Sequence, residues 1–137
     1  MAETLELKII TPEQTAYSEQ VEMVTLPGVE GQMGILPRHV PLLTQMVPGE
    51  IIVRKHGADH HLAVGEGLIE VTAEHVAVLT DMAITAENID EAKVEEARQR
   101  AEARLKEKLS DEEVASVNSS LARSLAQLHV KRRHHNK

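Results

Sequence analysis

Short apolar segments with a period of two fill the chain up to about Ala86. Within them, apolar residues alternate with polar ones or run for five or six positions, and Gly, Pro, Asp or Asn separate them. The segments are LELKII, VEMVTL, EIIVRK, GLIEVT and HVAVLT. Because such segments recur about every 8–12 residues, they predict an all-β sandwich or flattened barrel around one core. The polar HGADHH after EIIVRK is predicted as a hairpin tip containing Gly57.

The spacing of apolar residues becomes helical after Ala86. Asn88 followed by Glu91 has the form of a helix N-cap with its partner three residues later. An apolar residue then recurs at every fourth position, at Ala97, Ala101, Leu105 and Leu109. The pattern predicts a first helix from Asn88 to about Leu109.

A second helix is predicted directly after the first. Ser110 with Glu113 forms a second capping box, and the helix is expected to run from about Asp111 to Val130. Its apolar stripe consists of Val114, Val117, Leu121, Leu125 and Leu128. Since only Ser110 and Asp111 separate the two patterns, the helices should form an antiparallel hairpin.

These patterns divide the chain into a β domain, residues 1–86, and a helical hairpin, residues 87–137. The seam between the helices sets Ala against Val and Leu, so it buries little apolar surface. At about 25 cal/mol per Å², such a seam barely offsets the entropy of ordering roughly forty residues. We therefore expect a hairpin that docks on the β domain in one state and extends onto a partner in another.

The core must be aliphatic, because the 137 residues include no Phe, Trp or Cys and a single tyrosine, Tyr17. Without cysteine, neither disulfides nor thiolate zinc sites can hold the fold, so burial must do so. The first residues, MAETLELKII, lack the features of a signal peptide, and no window approaches the roughly 20 apolar residues of a membrane span. We expect a soluble protein made inside the cell, without insertion into lipid.

Charge is distributed unevenly along the chain. Residues 1–113 contain all 22 acidic residues and 10 basic ones, a net charge of −12. The remaining residues contain no acid and five basic residues, Arg123, Lys131, Arg132, Arg133 and Lys137. Such a segment favours nucleic acid, an anionic membrane, an acidic protein surface or the rest of its own chain. Nucleic acid is disfavoured, because the whole chain has a net charge of −7 and no stacking platform.

Histidine clusters raise the question of a metal site. Two groups stand out, His56, His60 and His61, and then His129, His134 and His135. Metal ligands must converge with fixed support, whereas a hairpin tip and a chain end provide none, so we expect solvated histidines and no metal. Neither a Ser/His/Asp set nor a carboxylate pair stands in a recognisable turn, and Asp81 has no base beside it in sequence. The sequence predicts no enzyme.

The stretch GQMGILPRHVPLLTQMVPGE, residues 31–50, combines closely spaced Gly and Pro with aliphatic residues. Together with Gly28, its first glycines give the spacing GxxGxxG, which raises the question of a phosphate-binding loop. However, no Lys-Ser/Thr or helical pattern follows, and Pro37 and Pro41 break helices. We therefore expect Gly28, Gly31 and Gly34 to serve turns and bulges between strands.

Three segments resemble one known family along essentially the whole chain. LPGVEGQMGILPRHVPLLTQMVPGEI, VGEGLIEVTAEHVAVLTDMAITAENID and the charged two-helix tail are similar to the epsilon subunit of F-type ATP synthases. The resemblance implies a non-catalytic rotor subunit at the surface of an energy-transducing membrane, whose β sandwich binds the gamma shaft and the membrane c-ring. It also implies a hairpin that can rise along gamma and restrain ATP hydrolysis by the alpha and beta subunits.

The resemblance also implies two contact sites. A loop stiffened by proline would present four side chains to the polar loops of the ring, Glu30, Gln32, Arg38 and His39. On the second helix, four basic residues would pair with an acidic segment of the catalytic beta subunit, Arg123, Lys131, Arg132 and Arg133. Without the resemblance, the same basic residues would be interpreted as a solvated terminal charge run.

Some bacterial members of the family bind ATP between the hairpin and the β domain, through an Ile/Leu-Asp-x-x-Arg-Ala motif. The corresponding residues here are Ile89, Asp90, Glu91, Ala92, Lys93 and Val94. Lys93 lacks the planar fork of arginine and Val94 adds bulk, whereas Arg100 and Arg123 align with phosphate-binding arginines of the family. At most weak ATP binding is implied, with no required cofactor, and Asp90 has a simpler role at the helix dipole. The alternative function is an ATP-sensing module whose hairpin closes over nucleotide.

Overall fold

Within residues 3–135, ten strands are followed by two long helices. The computed structural model describes these residues, with side chains through residue 133. The strands are β1 (Leu5–Ile10), β2 (Thr15–Val21), β3 (Met23–Gly28), β4 (Gly31–Ile35), β5 (Leu42–Met46), β6 (Gly49–Lys55), β7 (Ala58–Val64), β8 (Gly67–Val71), β9 (His75–Thr80) and β10 (Ala83–Thr85). A short 3-10 helix (Ala86–Asn88) leads to α1 (Glu91–Arg104) and α2 (Asp111–His135).

The strands form a β sandwich that nearly closes into a barrel, which confirms the predicted fold class. One layer contains β10, β7, β6 and β3, with β4 paired on β3, and the other contains β5, β8, β9, β1 and β2. The layers are joined through a single β3–β5 pair, Gly28 with Met46, and β2 lies back against β6. β1 runs parallel to β9, its neighbour on one side, and antiparallel to β2.

The core between the layers is aliphatic, as the composition requires. Its members are all 2% exposed or less, and they are Leu5, Leu7, Ile9, Val21, Val24, Leu26, Ile35, Met46, Ile51, Val53, Leu62, Val64, Ile69, Val71, Val76 and Val78. Tyr17 packs against the edge of this core. Burial, and then a hydrogen bond to Glu19, raises the pKa of Tyr17 to about 12.

The apolar pattern located only part of the sheet. LELKII is β1, and EIIVRK, GLIEVT and HVAVLT fall on β6, β8 and β9. VEMVTL is divided, because β2 ends at Val21 and β3 begins at Met23. Strands β2, β4, β5, β7 and β10 were not predicted. β2 and β10 lie at the two ends of the strand order, where only one neighbour is required, so little apolar alternation marks them.

The predicted hairpin tip HGADHH is shorter in the structure. Lys55 pairs with Ala58, so the turn between β6 and β7 consists of His56 and Gly57 alone. Both have positive φ angles, 53° and 76°, as a two-residue type I′ turn requires. The prediction was wrong for His60 and His61, which lie in β7.

Helix α1 differs from its prediction at both ends. Asn88 is not the N-cap, because it lies in the 3-10 helix and the chain is extended at the buried Ile89. Asp90 caps the helix instead, since its Oδ1 accepts a hydrogen bond from the backbone N–H of Lys93 at 3.2 Å. α1 ends at Arg104 rather than near Leu109, so six residues connect the helices instead of two.

Helix α2 begins as predicted and extends beyond Val130 to His135. The capping box is confirmed: the Ser110 and Glu113 side chains each accept the other's backbone N–H at 3.2 Å. Leu125 of the predicted stripe is 48% exposed, whereas Ala126 is buried. The stripe was derived for contact with α1 alone, but α2 also packs on β6 and β7.

Candidate functional site

Helix α2 covers the outer side of β6 and β7. Along β7, Leu62 and Val64 point into the sandwich core, so the intervening Ala63 points outwards. Ala63 is nevertheless fully buried, because it packs with Ala86, Ile89 and Val130 in a second apolar cluster. The small Ala63 side chain lets the last turns of α2 approach the sheet closely. We call this contact between α2 and the outer side of the sandwich the docking face.

Three basic side chains of α2 bind the β domain at the docking face. Arg123 Nη1 donates to Asp81 Oδ2 at 2.9 Å. Lys131 Nζ donates to the carbonyl oxygen of Ala86 at 3.2 Å. Arg133 Nη1 donates to Glu50 Oε1 at 2.6 Å. The sequence left four kinds of partner open for this basic segment. In the structure the segment binds one of them, the β domain of its own chain.

The fourth basic residue predicted for a partner contact, Arg132, binds within the hairpin. It donates to Glu91 at 2.8 Å and to Glu95 at 3.0 Å, both on α1. Glu95 also accepts hydrogen bonds from Arg98, and these, with the weaker effect of Arg132, lower the pKa of Glu95 to about 2. With the Arg104–Glu113 pair at the opposite end, these contacts establish the antiparallel arrangement of the helices.

The Arg123–Asp81 pair lies directly over Gly65. A Cβ atom at Gly65 would be 1.8 Å from Asp81 Oδ1 and 3.4 Å from Arg123 Cγ. Only glycine therefore leaves space for the Asp81 carboxylate at this point. Both side chains of the pair are about one third exposed, so water screens their attraction.

The four residues predicted to meet a ring do not share one loop, and that part of the prediction was wrong. β4 (Gly31–Ile35) separates them, because it pairs with β3 to form a hairpin. Glu30 lies at the β3–β4 turn, and Gln32 lines a cleft beside α2. Arg38 and His39 follow the other end of β4, where Arg38 pairs with Glu3 at 2.7 Å. Their contact with a ring stays a prediction.

Glycine has two kinds of role in this stretch. Gly31 has a φ of 121° and closes the β3–β4 turn, as expected. Gly28 is the last residue of β3 and flanks the same turn, whereas Gly34 lies inside β4. An added Cβ would meet Gly31 O at 3.0 Å from Gly28 and Met23 Cε at 2.7 Å from Gly34. The expected turn role therefore applies to Gly28 and Gly31, whereas Gly34 lies within a regular strand beside the end of the Met23 side chain.

Most of the candidate nucleotide residues have structural roles in the described chain. Ile89 belongs to the second apolar cluster, and Val94 packs against it. Asp90 and Lys93 form the N-cap of α1, which agrees with the simpler role predicted for Asp90. Arg123 binds Asp81, and Arg100 is exposed on α1. ATP binding by these residues stays a prediction.

One histidine differs from the expectation of solvated side chains. His61 is 19% exposed, and its Nδ1 lies 3.1 Å from Glu50 Oε2. His56, His60 and His129 are exposed, whereas the side chains of His134 and His135 fall outside the described residues. Within the described part of the chain, no three His, Asp or Glu side chains are placed to share a metal ion.

Three exposed leucines, which we call the leucine row, lie on the outer side of the second layer. Leu43 of β5, Leu68 of β8 and Leu79 of β9 are 70%, 46% and 51% exposed. Leu68 pairs directly with Leu79, and the intervening core residues such as Ile69 point inwards. One signal for this row is present in the sequence, since these leucines occupy the outward positions of alternating strands.

None of the helices described has the length and apolar character needed to cross a bilayer.

Comparisons with known proteins agree with this two-part architecture. Residues 4–86 match the model of the β-sandwich domain of the ATP synthase delta/epsilon chain. Residues 87–132 match the model of the long α-helix domain of the same chain.

Solved structures show the same fold at low sequence identity. A chain of the Euglena gracilis mitochondrial ATP synthase, in a structure of OSCP, F1 and the c-ring, matches with a TM-score of 0.74 and 22% identity, over 92% of this chain and 79% of that one. A chain of the Tetrahymena thermophila mitochondrial ATP synthase central stalk and c-ring matches with a TM-score of 0.63 and 14% identity, over 95% and 98%.

Two relatives are more similar in sequence. The ATP synthase epsilon chain of Herpetosiphon aurantiacus is 41% identical over 126 residues, which cover 92% of this chain and 93% of the relative. The ATP synthase epsilon chain of Halorhodospira halophila is 41% identical over 127 residues, which cover 91% and 90%. The resemblance noted in the sequence is thereby confirmed: this chain belongs to the ATP synthase epsilon chains, which are non-catalytic subunits of that complex.

Proposed function

We propose that this chain is a central-stalk subunit of an F-type ATP synthase. In this role its β sandwich joins the gamma shaft to the membrane c-ring, and its helices restrain ATP hydrolysis by the alpha and beta subunits. The similar Tetrahymena chain belongs to a central stalk and c-ring assembly, which supports this position. The subunit would lie at the membrane surface, held there by the other subunits.

One observation supports the inhibitory role. The basic side chains of α2 are bound by acceptors within the same chain. Arg123, Lys131 and Arg133 contact the β domain, and Arg132 contacts α1. The same groups would bind the acidic surface of the beta subunit. Because one guanidinium cannot fill both sites at once, the docked hairpin is the non-inhibiting form. Release from the docking face exposes the cations together with the apolar side of α2.

The exposed leucine row supports contact with gamma. Leu43, Leu68 and Leu79 lie on the layer opposite to the docking face, so a partner can cover them without displacing α2. Leu68 and Leu79 are direct neighbours, and Leu43 lies opposite Glu70 on the same side of the layer. Exposed apolar side chains grouped on one side of a sandwich favour an interaction surface. A partner bound there would hold the β domain in place while the hairpin moves.

The test is the ATP hydrolysis rate of the matching alpha-beta-gamma complex. Full-length chain is compared with a chain that ends at Glu87, and with a variant in which Arg123, Lys131, Arg132 and Arg133 are all replaced by glutamine. We expect only the unaltered full-length chain to slow hydrolysis, and higher salt to weaken its effect, because exposed ion pairs are screened.

A stoichiometric binding measurement to gamma serves as the control for this test. The truncated chain retains every member of the sandwich core, so its binding to gamma should be unchanged. If all three chains bind gamma and none slows hydrolysis, the chain is a coupling subunit and the inhibitory role is rejected. If the glutamine variant inhibits fully, inhibition comes from the apolar side of α2 instead.

A further inference from the structure

A buried carboxylate lies beneath the last turns of α2. Glu50 is on β6, where Ile51 and Val53 face the sandwich core and Glu50 faces the opposite side. Its side chain is only 4% exposed, because α2 covers it. Arg133 of α2 binds one oxygen at 2.6 Å, and His61 of β7 lies 3.1 Å from the other. A carboxyl group thus occupies a buried position of the docking face, beside Ala63, its partner on the adjacent strand.

The two members of this pair differ in their access to water. The Arg133 side chain is 49% exposed, whereas that of Glu50 is nearly inaccessible. Release of α2 would return both groups to water, so the pair itself adds little to the free energy of docking. Removing Arg133 alone has a different effect, because the docked state then keeps a desolvated carboxylate that has lost its guanidinium.

We propose that Glu50 makes the docking of α2 conditional on Arg133. Docking is favourable while the arginine occupies the Glu50 oxygen, and it becomes unfavourable when any acidic partner competes for that arginine. The carboxylate therefore acts against the docked state, as a built-in means of releasing the hairpin. This inference concerns the isolated chain and holds whether or not the helices act on the hydrolysis reaction.

The proposal predicts opposite signs for two charge removals. Arg133→Gln keeps Glu50 covered by α2 but takes the guanidinium away from it, so it should shift the equilibrium towards the undocked state. Glu50→Gln leaves a half-exposed arginine that water can solvate, so docking should stay equal or become tighter. In the double variant the side chain at position 50 is a neutral amide that needs no cation, and docking should return.

Thiol labelling measures this equilibrium directly, because the chain contains no native cysteine. Val130→Cys places a thiol at a fully buried position of the docking face, which becomes reactive only when α2 leaves the sheet. The full chain with this substitution is the parent, and all charge variants are made in it. Rates are divided by the rate in concentrated urea, which gives the undocked fraction over several orders of magnitude.

We expect Arg133→Gln to raise the labelling rate about tenfold, a value reduced from that of a fully buried pair because Arg133 is half exposed. Glu50→Gln should leave the rate unchanged or lower it, and the double variant should label within about twofold of Glu50→Gln. Arg132→Gln is the matched control, because Arg132 is the adjacent cation and its ion pairs are with α1. It should change the rate by less than about threefold.

The inference is overturned if Arg133→Gln labels as slowly as the parent, or if the double variant labels as fast as Arg133→Gln. It is also overturned if Arg132→Gln and Arg133→Gln give equal increases, since the effect would then follow net charge rather than the buried carboxylate. An increase on Glu50→Gln would show that the pair simply holds α2 in place.

Discussion

The sandwich and the helical hairpin are stabilised in different ways, although both are compact. The sandwich encloses sixteen apolar residues that are at most 2% exposed. In α1 a single residue, Ala101, is buried, and α2 contributes a few more at 3–9% exposure, with Val130 fully enclosed. Ion pairs and hydrogen bonds from Arg123, Lys131 and Arg133 accompany this thin apolar contact. A continuous apolar core fixes one structure, whereas a thin seam with polar anchors is expected to leave the hairpin easier to release.

The sharpest test of this difference removes one apolar side chain from each region. Leu26→Ala opens a cavity at a fully buried core position and should lower the free energy of unfolding of the sandwich by about 2–5 kcal/mol. Val130→Ala removes two carbons from the docking face, and should weaken docking by about 1.5 kcal/mol without changing sandwich stability.

Urea titration separates the two effects. Fluorescence of Tyr17, the single tyrosine, reports the sandwich, and helical circular dichroism reports the hairpin. We expect the Tyr17 transition to move only in Leu26→Ala. If Val130→Ala lowers that transition as much as Leu26→Ala does, the hairpin and the sandwich form one cooperative unit and the comparison fails.

A smaller effect is expected at the start of α1. Asp90→Ala removes the N-cap and should destabilise the hairpin by about 1 kcal/mol, since the Lys93 backbone N–H loses its acceptor. Asn88→Ala is the matched control, because this residue is exposed in the 3-10 helix three positions before α1 and should have little effect. Amide hydrogen exchange in α1 compares the two variants. Equal protection in both would show that Asp90 does not cap the helix.

The smallest expected effect is on the stability of the hairpin at acid pH. Arg98, and then Arg132, lower the pKa of Glu95 from 4.5 to about 2. A lowered carboxyl pKa stabilises the folded state above the unfolded value, so this contribution is lost as the pH falls from about 4.5 to 2. Glu95→Gln should remove that part of the acid dependence, measured by helical circular dichroism between pH 5 and 2. An unchanged acid profile would mean that Glu95 titrates normally.

The sequence predicted the sandwich and the helices because both produce a regular spacing of apolar residues. It missed β2, with its mostly exposed TAYSEQV, since a strand at the end of the sheet can be polar on most of its surface. It placed the cap of α1 at Asn88 because Asn88–Glu91 has the spacing of a capping box. Asp90 has equal capping ability, and only the buried Ile89, which holds the chain extended, decides between them.

The candidate site was harder to predict, because its contacts join residues far apart in the chain. The basic segment was recognised, and an acceptor within the same chain was one of the alternatives considered. The individual acceptors Asp81, Ala86 and Glu50 depend on how α2 lies across β6 and β7, which charge counting does not reveal. The sequence contained one signal for the docking face, because Ala63 is a small residue on the outer side of a strand.

The parallel pairing of β1 with β9 affects how the chain can fold during synthesis. Glu6 lies opposite His75, so about 70 residues must be made before the first strand gains this neighbour. At roughly 5–20 residues per second, β1 would wait several seconds with one edge unpaired and its apolar side chains uncovered. Such non-local closure slows folding and leaves a growing chain open to association with others. A ribosome-bound chaperone is therefore expected to matter more for the sandwich than for the helices that follow it.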